Sequence, residues 1–181
     1  MKTDIKEKIE IPKDVEVKIA GSLISVKGPK GEVSRRLLNP KVNISVKENQ
    51  ILMSSKNATK REKKIIGTFK AHIKNMLKGV VEPFIYKLKI CSSHFPMTAS
   101  VKDNEFSVQN FLGENTPRTL TIKPGVNVKV EGTEVVVESS DRELAGQTAA
   151  SIEHLCKITN RDRRIFQDGI YIISKAGKEI K

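Results

Sequence analysis

A chain of 181 residues can hold two small domains, and with aromatics at 4% and no tryptophan their cores are expected to be aliphatic. Lysine and arginine number 33 against 21 acidic residues, a net charge of +12, which points to a polyanionic partner and most economically to nucleic acid. No apolar run approaches the roughly 20 residues that span a bilayer, and the charged N-terminus has no secretory h-region, so a membrane partner and export are not expected.

Val15, Val17 and Ile19 alternate with polar residues, the pattern of a strand with one buried face. Ala20-Gly21-Ser22 turns the chain into a second strand over 23–27, and Gly28-Pro29-Lys30-Gly31 turns it into a third through Val33 and Leu37. Asn39-Pro40 breaks that strand, and 42–54 reads as a hairpin about Glu48-Asn49. Thr59 and Glu62 fit a capping box, in which a hydroxyl and a carboxylate satisfy free amides at a helix start. Apolar residues at 65, 66, 69, 73, 76, 77 and 80 form one stripe at helical spacing, and Gly79 is a candidate stop signal.

The plan then repeats. Val42, Ile44, Val46, Ile51 and Met53 recur 84 positions later as Val126, Val128, Val130, Val135 and Val137. Ile65, Ile66, Phe69, Ile73, Met76 and Leu77 recur 79 positions later as Leu144, Ala145, Thr148, Ile152, Leu155 and Cys156. Ser140 and Glu143 fit a second capping box before the second stripe. Two internally constant offsets describe a hairpin and a helix duplicated together, with the link between them shortened. The expected fold is α+β, two tandem duplicated domains over 1–81 and 82–181, each an antiparallel sheet with one helix packed on a face.

The second copy alone carries an extension, in which Arg161-Asp162-Arg163-Arg164 leads into Ile165-Phe166-Gln167-Asp168-Gly169-Ile170-Tyr171-Ile172. That segment, the Ser93-His94-Phe95-Pro96 loop, the Gly28-Pro29-Lys30-Gly31 turn and the doubled plan together resemble the universal sixth protein of the large ribosomal subunit, in its archaeal and eukaryotic form. The resemblance runs nearly end to end. It implies a structural, non-enzymatic RNA-binding protein of the cytoplasmic ribosome, seated near the base of the lateral stalk beside neighbouring ribosomal proteins. It further implies that large-subunit rRNA is bound mainly through the second domain. A general basic RNA- or DNA-binding protein on a duplicated fold is the rival reading.

Charge divides unevenly. Residues 1–81 carry 19 basic against 8 acidic groups, net +11, and residues 82–181 carry 14 against 13, net +1. Within the second half, however, 82–156 is −3 and 157–181 is +4. Local clustering is the better guide, because screening limits phosphate contacts to roughly 8–10 Å at physiological salt.

Arg161, Arg163 and Arg164 are the sharpest candidates for RNA contact, since a guanidinium offers forked donors matched to phosphate oxygens. A solvated loop paired with Asp162 and Asp168 is the alternative. Lys157 opens the same basic stretch. Lys87 and Lys89 alternate with Leu88 and Ile90 on a strand face away from the core, and Ser92, Ser93 and His94 follow as small polar donors. An ordinary solvent face and turn fits equally well. Lys175, Lys178 and Lys181 read as an arm ordered only on RNA, or as a disordered tail. Lys60, Arg61, Lys63, Lys64, Lys70, Lys74 and Lys78 form a basic helix face that either contacts RNA or only solubilises.

No cofactor, metal or small-molecule substrate is expected. His72, His94 and His154 are scattered without a zinc pattern, the Gly28 turn lacks the spacing of a nucleotide-binding loop, and no nucleophile–base motif is present. Cys91 and Cys156 read as two ordinary buried thiols of a reduced cytosolic protein.

Overall fold

The computed structural model describes residues 3–47 and 49–180. The chain divides between Pro83 and Phe84 into two compact units, each around its own apolar core.

In the first unit the strands are β1 (Thr3–Glu10), β2 (Glu16–Ala20), β3 (Leu23–Gly28), β4 (Gly31–Arg36), β5 (Asn43–Lys47) and β6 (Gln50–Ala58), followed by helix α1 (Lys60–Val81). They build two antiparallel sheets, in the orders β1-β6-β5 and β2-β3-β4. Period-two alternation puts Ile24 and Val26 on one face of β3 and Ile51 and Met53 on one face of β6, and α1 lays Ile66, Phe69, Ile73, Met76, Leu77 and Val80 against them. The expected hairpin turn falls between β5 and β6, with Glu48 itself outside the described residues.

The capping box of α1 is formed: Thr59 Oγ1 accepts from the Arg61 amide, and Glu62 accepts from the Thr59 amide at 2.8 Å and from the Thr59 hydroxyl. Hydrogen bonds from the Thr59 side chain and then its backbone hold the Glu62 carboxyl down at about 2, with Lys41 Nζ 3.4 Å away adding to the effect. Gly79 is not the stop. It is buried within the helix, which runs on to Val81 and ends because Glu82, at φ −128° and ψ 117°, takes the extended conformation that Pro83 favours in its predecessor.

Charge conceals β1 in the sequence. Its alternation of Ile5 and Ile9 is interrupted by Glu7 at the core-facing position between them, where Lys70 of α1 meets the Glu7 carboxylate at 2.7 Å and lowers its pKa. The Gly28-Pro29-Lys30-Gly31 turn has a structural role: the Lys30 amide donates to the Val80 carbonyl at 2.9 Å, satisfying one of the free acceptors at the end of α1.

The second unit contains β7 (Phe84–Cys91), β8 (Thr98–Lys102), β9 (Glu105–Gln109), a 3₁₀ turn (Phe111–Gly113), β10 (Arg118–Thr121), β11 (Asn127–Glu131), β12 (Glu134–Ser139), helix α2 (Arg142–Leu155), β13 (Gly169–Lys175) and β14 (Lys178–Glu179). Its sheets are β10-β9-β8 and β11-β12-β7-β13-β14, all antiparallel. The α+β class and the duplication therefore hold, with the strands of each unit shared between two sheets. The first core is aliphatic apart from Phe69, as expected, but the second draws on Phe84, Tyr86, Phe106 and Phe111. The scarce aromatics are concentrated where the second core needs bulk.

The cap of α2 sits one residue later than the sequence suggests. Asp141, not Ser140, is the N-cap, its carboxylate accepting from the Glu143 amide at 2.8 Å. Ser139 supports it by accepting from the Asp141 amide and donating to the Gly125 carbonyl. Of the two thiols, only Cys156 is buried, which pushes its pKa up to about 11; Cys91 is half-buried.

A Cβ built on Gly28 would lie 2.8 Å from Val80 Cγ2 and 2.9 Å from the Val80 carbonyl oxygen, a backbone atom that cannot swing away. Gly28→Ala should therefore destabilise the first unit by about 1–3 kcal/mol, read as a lower urea midpoint with an unchanged slope.

Candidate nucleic-acid interface

The loop after β7 and the segment before β13 are distant in sequence and are brought together by pairing of those two strands, in which Gly169 stands opposite Cys91 and Ile170 opposite Ile90. Asp168, at 2% exposure, sits at the junction. Its carboxylate accepts from the Ser93 amide, from the His94 amide at 3.0 Å, from Ser93 Oγ at 3.2 Å and from His94 Nδ1 at 2.6 Å. Burial by itself would raise this carboxyl, but hydrogen bonds from the backbones of His94 and Ser93, joined by their side chains, outweigh it and hold the pKa at about 2. An ionised carboxylate can only accept, so the imidazole proton is placed on Nδ1 and Nε2 is left to face outward partners.

A stack is built on this anchor. The His94 and Phe166 rings lie 4.7 Å apart at 23°, and Arg161 Cζ lies 4.8 Å from the centre of the Phe166 ring. The loop is held on its other side by Asn110, whose Nδ2 donates to the Pro96 carbonyl at 2.9 Å, while the Phe95 ring rests against Gly113. The result is a surface carrying Ser93, His94, Phe95, Arg161, Arg163, Arg164 and Ile165, with Phe95 49% and Ile165 64% exposed.

Glycine is required at the turn into β13. Gly169 has φ +156°, and the Tyr171 ring covers it so closely that a Cβ would lie 3.1 Å from Tyr171 Oη. The Tyr171 hydroxyl in turn donates to the Gln167 carbonyl at 3.2 Å. Burial, the largest influence, raises the Tyr171 pKa, while the nearby Arg163 charge opposes it.

The other candidates fall elsewhere. Arg164 is chelated by Asp162, with Nη2 2.8 Å from Oδ2 and Nε 3.1 Å from Oδ1. The Arg164–Asp162 pair is the one the solvated-loop alternative expects, whereas Asp168 is engaged with Ser93 and His94. Ser92 is exposed at the start of the loop, and Lys157 is exposed just beyond α2. Lys87 and Lys89 share the outer face of the five-stranded sheet with carboxylates: Lys87 Nζ lies 3.9 Å from Glu134 Oε2, and Lys89 stands opposite Glu134 in the ladder. Lys175 and Lys178 do not form a loose arm. They face each other across the β13–β14 hairpin, whose turn residues Ala176 (φ +50°) and Gly177 (φ +82°) have the left-handed geometry of a two-residue hairpin. Lys175 lies six residue steps along β13 from Gly169, about 20 Å at roughly 3.3 Å per residue. Lys181 lies outside the described residues.

Sequence reasoning did not single out Arg118. Its Nη1 donates to the Leu155 carbonyl at 2.7 Å, satisfying the end of α2, while Glu114 takes Nε and Nη2 at 2.8 and 2.6 Å and the guanidinium covers the Phe111 ring at 4.3 Å. The Glu114 carboxyl is lowered chiefly by that hydrogen bond, and the charge of Arg161 contributes, which puts the Glu114–Arg118 pair beside the stack. No local motif marks such a residue, because both of its roles depend on tertiary contact. Among the described residues no group of three or more histidine, cysteine or carboxylate side chains is placed to hold a metal, and no helix is long and apolar enough to cross a membrane.

The sequence model of the ribosomal protein L6 family matches residues 11–82 and 95–169, one segment in each unit. The chain is 46% identical to the large ribosomal subunit protein uL6 of Methanococcus vannielii over 96% of both chains. It is 45% identical to the protein of the same name from Nanoarchaeum equitans, over 97% of this chain and 96% of the relative.

The carboxylate of Asp168 contributes fully above the pKa of an unfolded aspartate, about 3.9, and its contribution disappears as pH falls through about 2. The protection of the Ser93 and His94 amides relative to their intrinsic exchange rates should therefore fall between about pH 4 and pH 2. Asp168→Asn should lose about 1.5–3 kcal/mol of local protection above about pH 4, a difference that closes as pH falls towards 2. Unchanged exchange at those two amides in the variant would remove the anchor from the account.

Proposed function

The chain belongs to the ribosomal protein L6 family, and from that premise we propose that it is a structural constituent of the large ribosomal subunit that binds large-subunit rRNA near the base of the stalk, beside neighbouring ribosomal proteins. Members of this family are structural components and not enzymes.

The observation that carries the reading is the Asp168 network, which holds Ser93 and His94 and, through the stack of Phe166 on His94, brings Arg161 beside them. RNA backbones are met by arginine forks, hydroxyls and main-chain donors, and this surface holds all three within a few residues. Arg161 is pre-oriented by Phe166, so less rotamer freedom is lost when its outward donors meet phosphate. Arg164 reaches RNA only by sharing or leaving Asp162, so Arg161 and Arg163 should contribute most. Ser92, Ser93, His94 and Lys157 belong to the same proposed surface. Lys89 stands opposite Tyr171 and so borders this surface, with Lys87 next along the strand beside Glu134; Lys175 and Lys178, about 20 Å along β13, would contact RNA only as a separate patch.

The net +11 of the first unit favours the general nucleic-acid binder, and a salt series distinguishes the two. The full chain with Arg161, Arg163 and Arg164 all changed to Ala should bind a large-subunit rRNA fragment more weakly, with a salt slope reduced by up to about 3. The comparison is a chain with Lys60, Lys63 and Lys64 changed to Ala, which should retain most of its affinity. The reverse ranking would make the lysine-rich helix the binding element and the general binder the better reading.

A further inference from the structure

The duplication provides an internal control for one exposed edge. Register equates β1 with β7: Ile5, Glu7 and Ile9 oppose Ser55, Met53 and Ile51 of β6, as Phe84, Tyr86 and Leu88 oppose Ser139, Val137 and Val135 of β12. In the second unit the far edge of β7 is occupied by β13. There Ile170 and Ile172 stand opposite Ile90 and Leu88, and Glu153 of α2 accepts from the Ile172 amide at 3.4 Å. In the first unit β1 is the edge strand, and among the described residues no strand pairs with its outer side.

The space that a second-unit-like strand would enter is present. A cleft of about 580 Å³ lies between β1 and the end of α1, with Ile9, Pro12, Leu77 and Val81 as its apolar lining and lysines 8, 74 and 78 at its rim. At the 79-residue offset, Lys74 takes the place of Glu153, so a peptide-accepting carboxylate is replaced by a cation. On the other face of β1, Lys6 and Lys8 lie between Asp4 and Glu10, so they would flank the central outward side chains of an added strand.

We propose that the open edge of β1 and its adjoining cleft form a docking site for an extended segment of a partner protein with alternating apolar and acidic residues, which adds as a fourth strand to the β1-β6-β5 sheet. The apolar side chains enter the cleft beside Ile9 and Leu77, and the acidic ones lie along Lys6 and Lys8. Main-chain hydrogen bonds supply affinity and the alternating side chains supply specificity. A second copy of this chain suits the site less well, because edge-to-edge pairing of two β1 strands centred on Glu7 would set Lys6 of each against Lys8 of the other. RNA suits it poorly too: half of the exposed edge groups are carbonyls, and Glu10 and Glu82 line the cleft. The inference concerns the first unit alone and does not rest on the RNA reading.

The test uses the full chain and a capped peptide of four Val-Glu repeats. Its controls are the Val-Lys peptide and a Val-Glu peptide N-methylated at every residue, which cannot donate to a ladder from either edge. The Val-Glu peptide should bind at least about tenfold more tightly than the Val-Lys peptide, and should slow exchange of the β1 amides that point away from β6. The N-methylated peptide should not bind. Lys6→Glu with Lys8→Glu, at exposed positions and with unchanged protection of β2-β3-β4, should reverse the charge preference. Equal binding of both charged peptides, binding without β1 protection, or no binding at millimolar peptide overturns the proposal. Protection of the same amides by polyuridylate, displacing the peptide, would overturn it in favour of RNA.

Discussion

Asp168 is a nearly inaccessible carboxylate that remains ionised because four donors converge on it, two from main-chain amides and two from the Ser93 and His94 side chains. Taking such a charge out of water is unfavourable unless its lone pairs are filled, so the loop after β7 is constrained to the conformation that fills them. Everything exposed at the candidate interface inherits its position from that constraint. His94 is oriented by its bond to Asp168, Phe166 stacks on His94, and Arg161 covers Phe166. A single buried group thus presents a guanidinium and an imidazole without direct contact to either one's outward face.

The two units share a frame and differ in what completes it. A hairpin, a helix and a strand paired to the hairpin's second strand recur in both, with the same residue register. In the second unit the edge is completed from within the chain by β13, and the connection that carries β13 there, from Ile158 to Asp168, is the segment bearing the arginines. In the first unit the corresponding edge ends at β1, where Glu7 and Lys70 occupy the positions equivalent to Tyr86 and Ala149. An ion pair stands where the covered copy has packed core. Charge on an edge strand also opposes unselective pairing, so a partner must match it.

What the sequence revealed follows from periodicity. Both helices, the hairpins and their duplication are visible because burial on one face imposes a period of 2 or 3.6 on apolar residues whatever their identity. β1 escaped because Glu7 occupies a core-facing position, where it is met by a lysine 63 residues away. The C-terminal hairpin escaped because Ser174, Lys175 and Lys178 resemble a polar tail until Ala176 and Gly177 are seen in left-handed geometry. At the candidate site the residue types were legible but their assembly was not. Asp168 reads as one more acidic neighbour of the arginines, and only the pairing of β13 with β7 shows that its partners lie 74 and 75 residues earlier.

The disagreement between net charge and the proposed interface resolves at the level of individual groups. Part of the first unit's positive charge is spent within it, Lys70 on Glu7, Lys41 on Glu62 and Lys18 on Glu16. Its remaining lysines stand on long flexible stems that attract any polyanion without fixing a register. The second unit is almost neutral overall, yet its arginines are constrained: Arg118 by Glu114 and a helix carbonyl, Arg164 by Asp162, Arg161 by an aromatic ring. Diffuse charge accelerates encounter, whereas a constrained guanidinium selects one geometry of the backbone it meets. A structural protein of a ribonucleoprotein needs the second property at its anchor, and can afford the first anywhere on its surface.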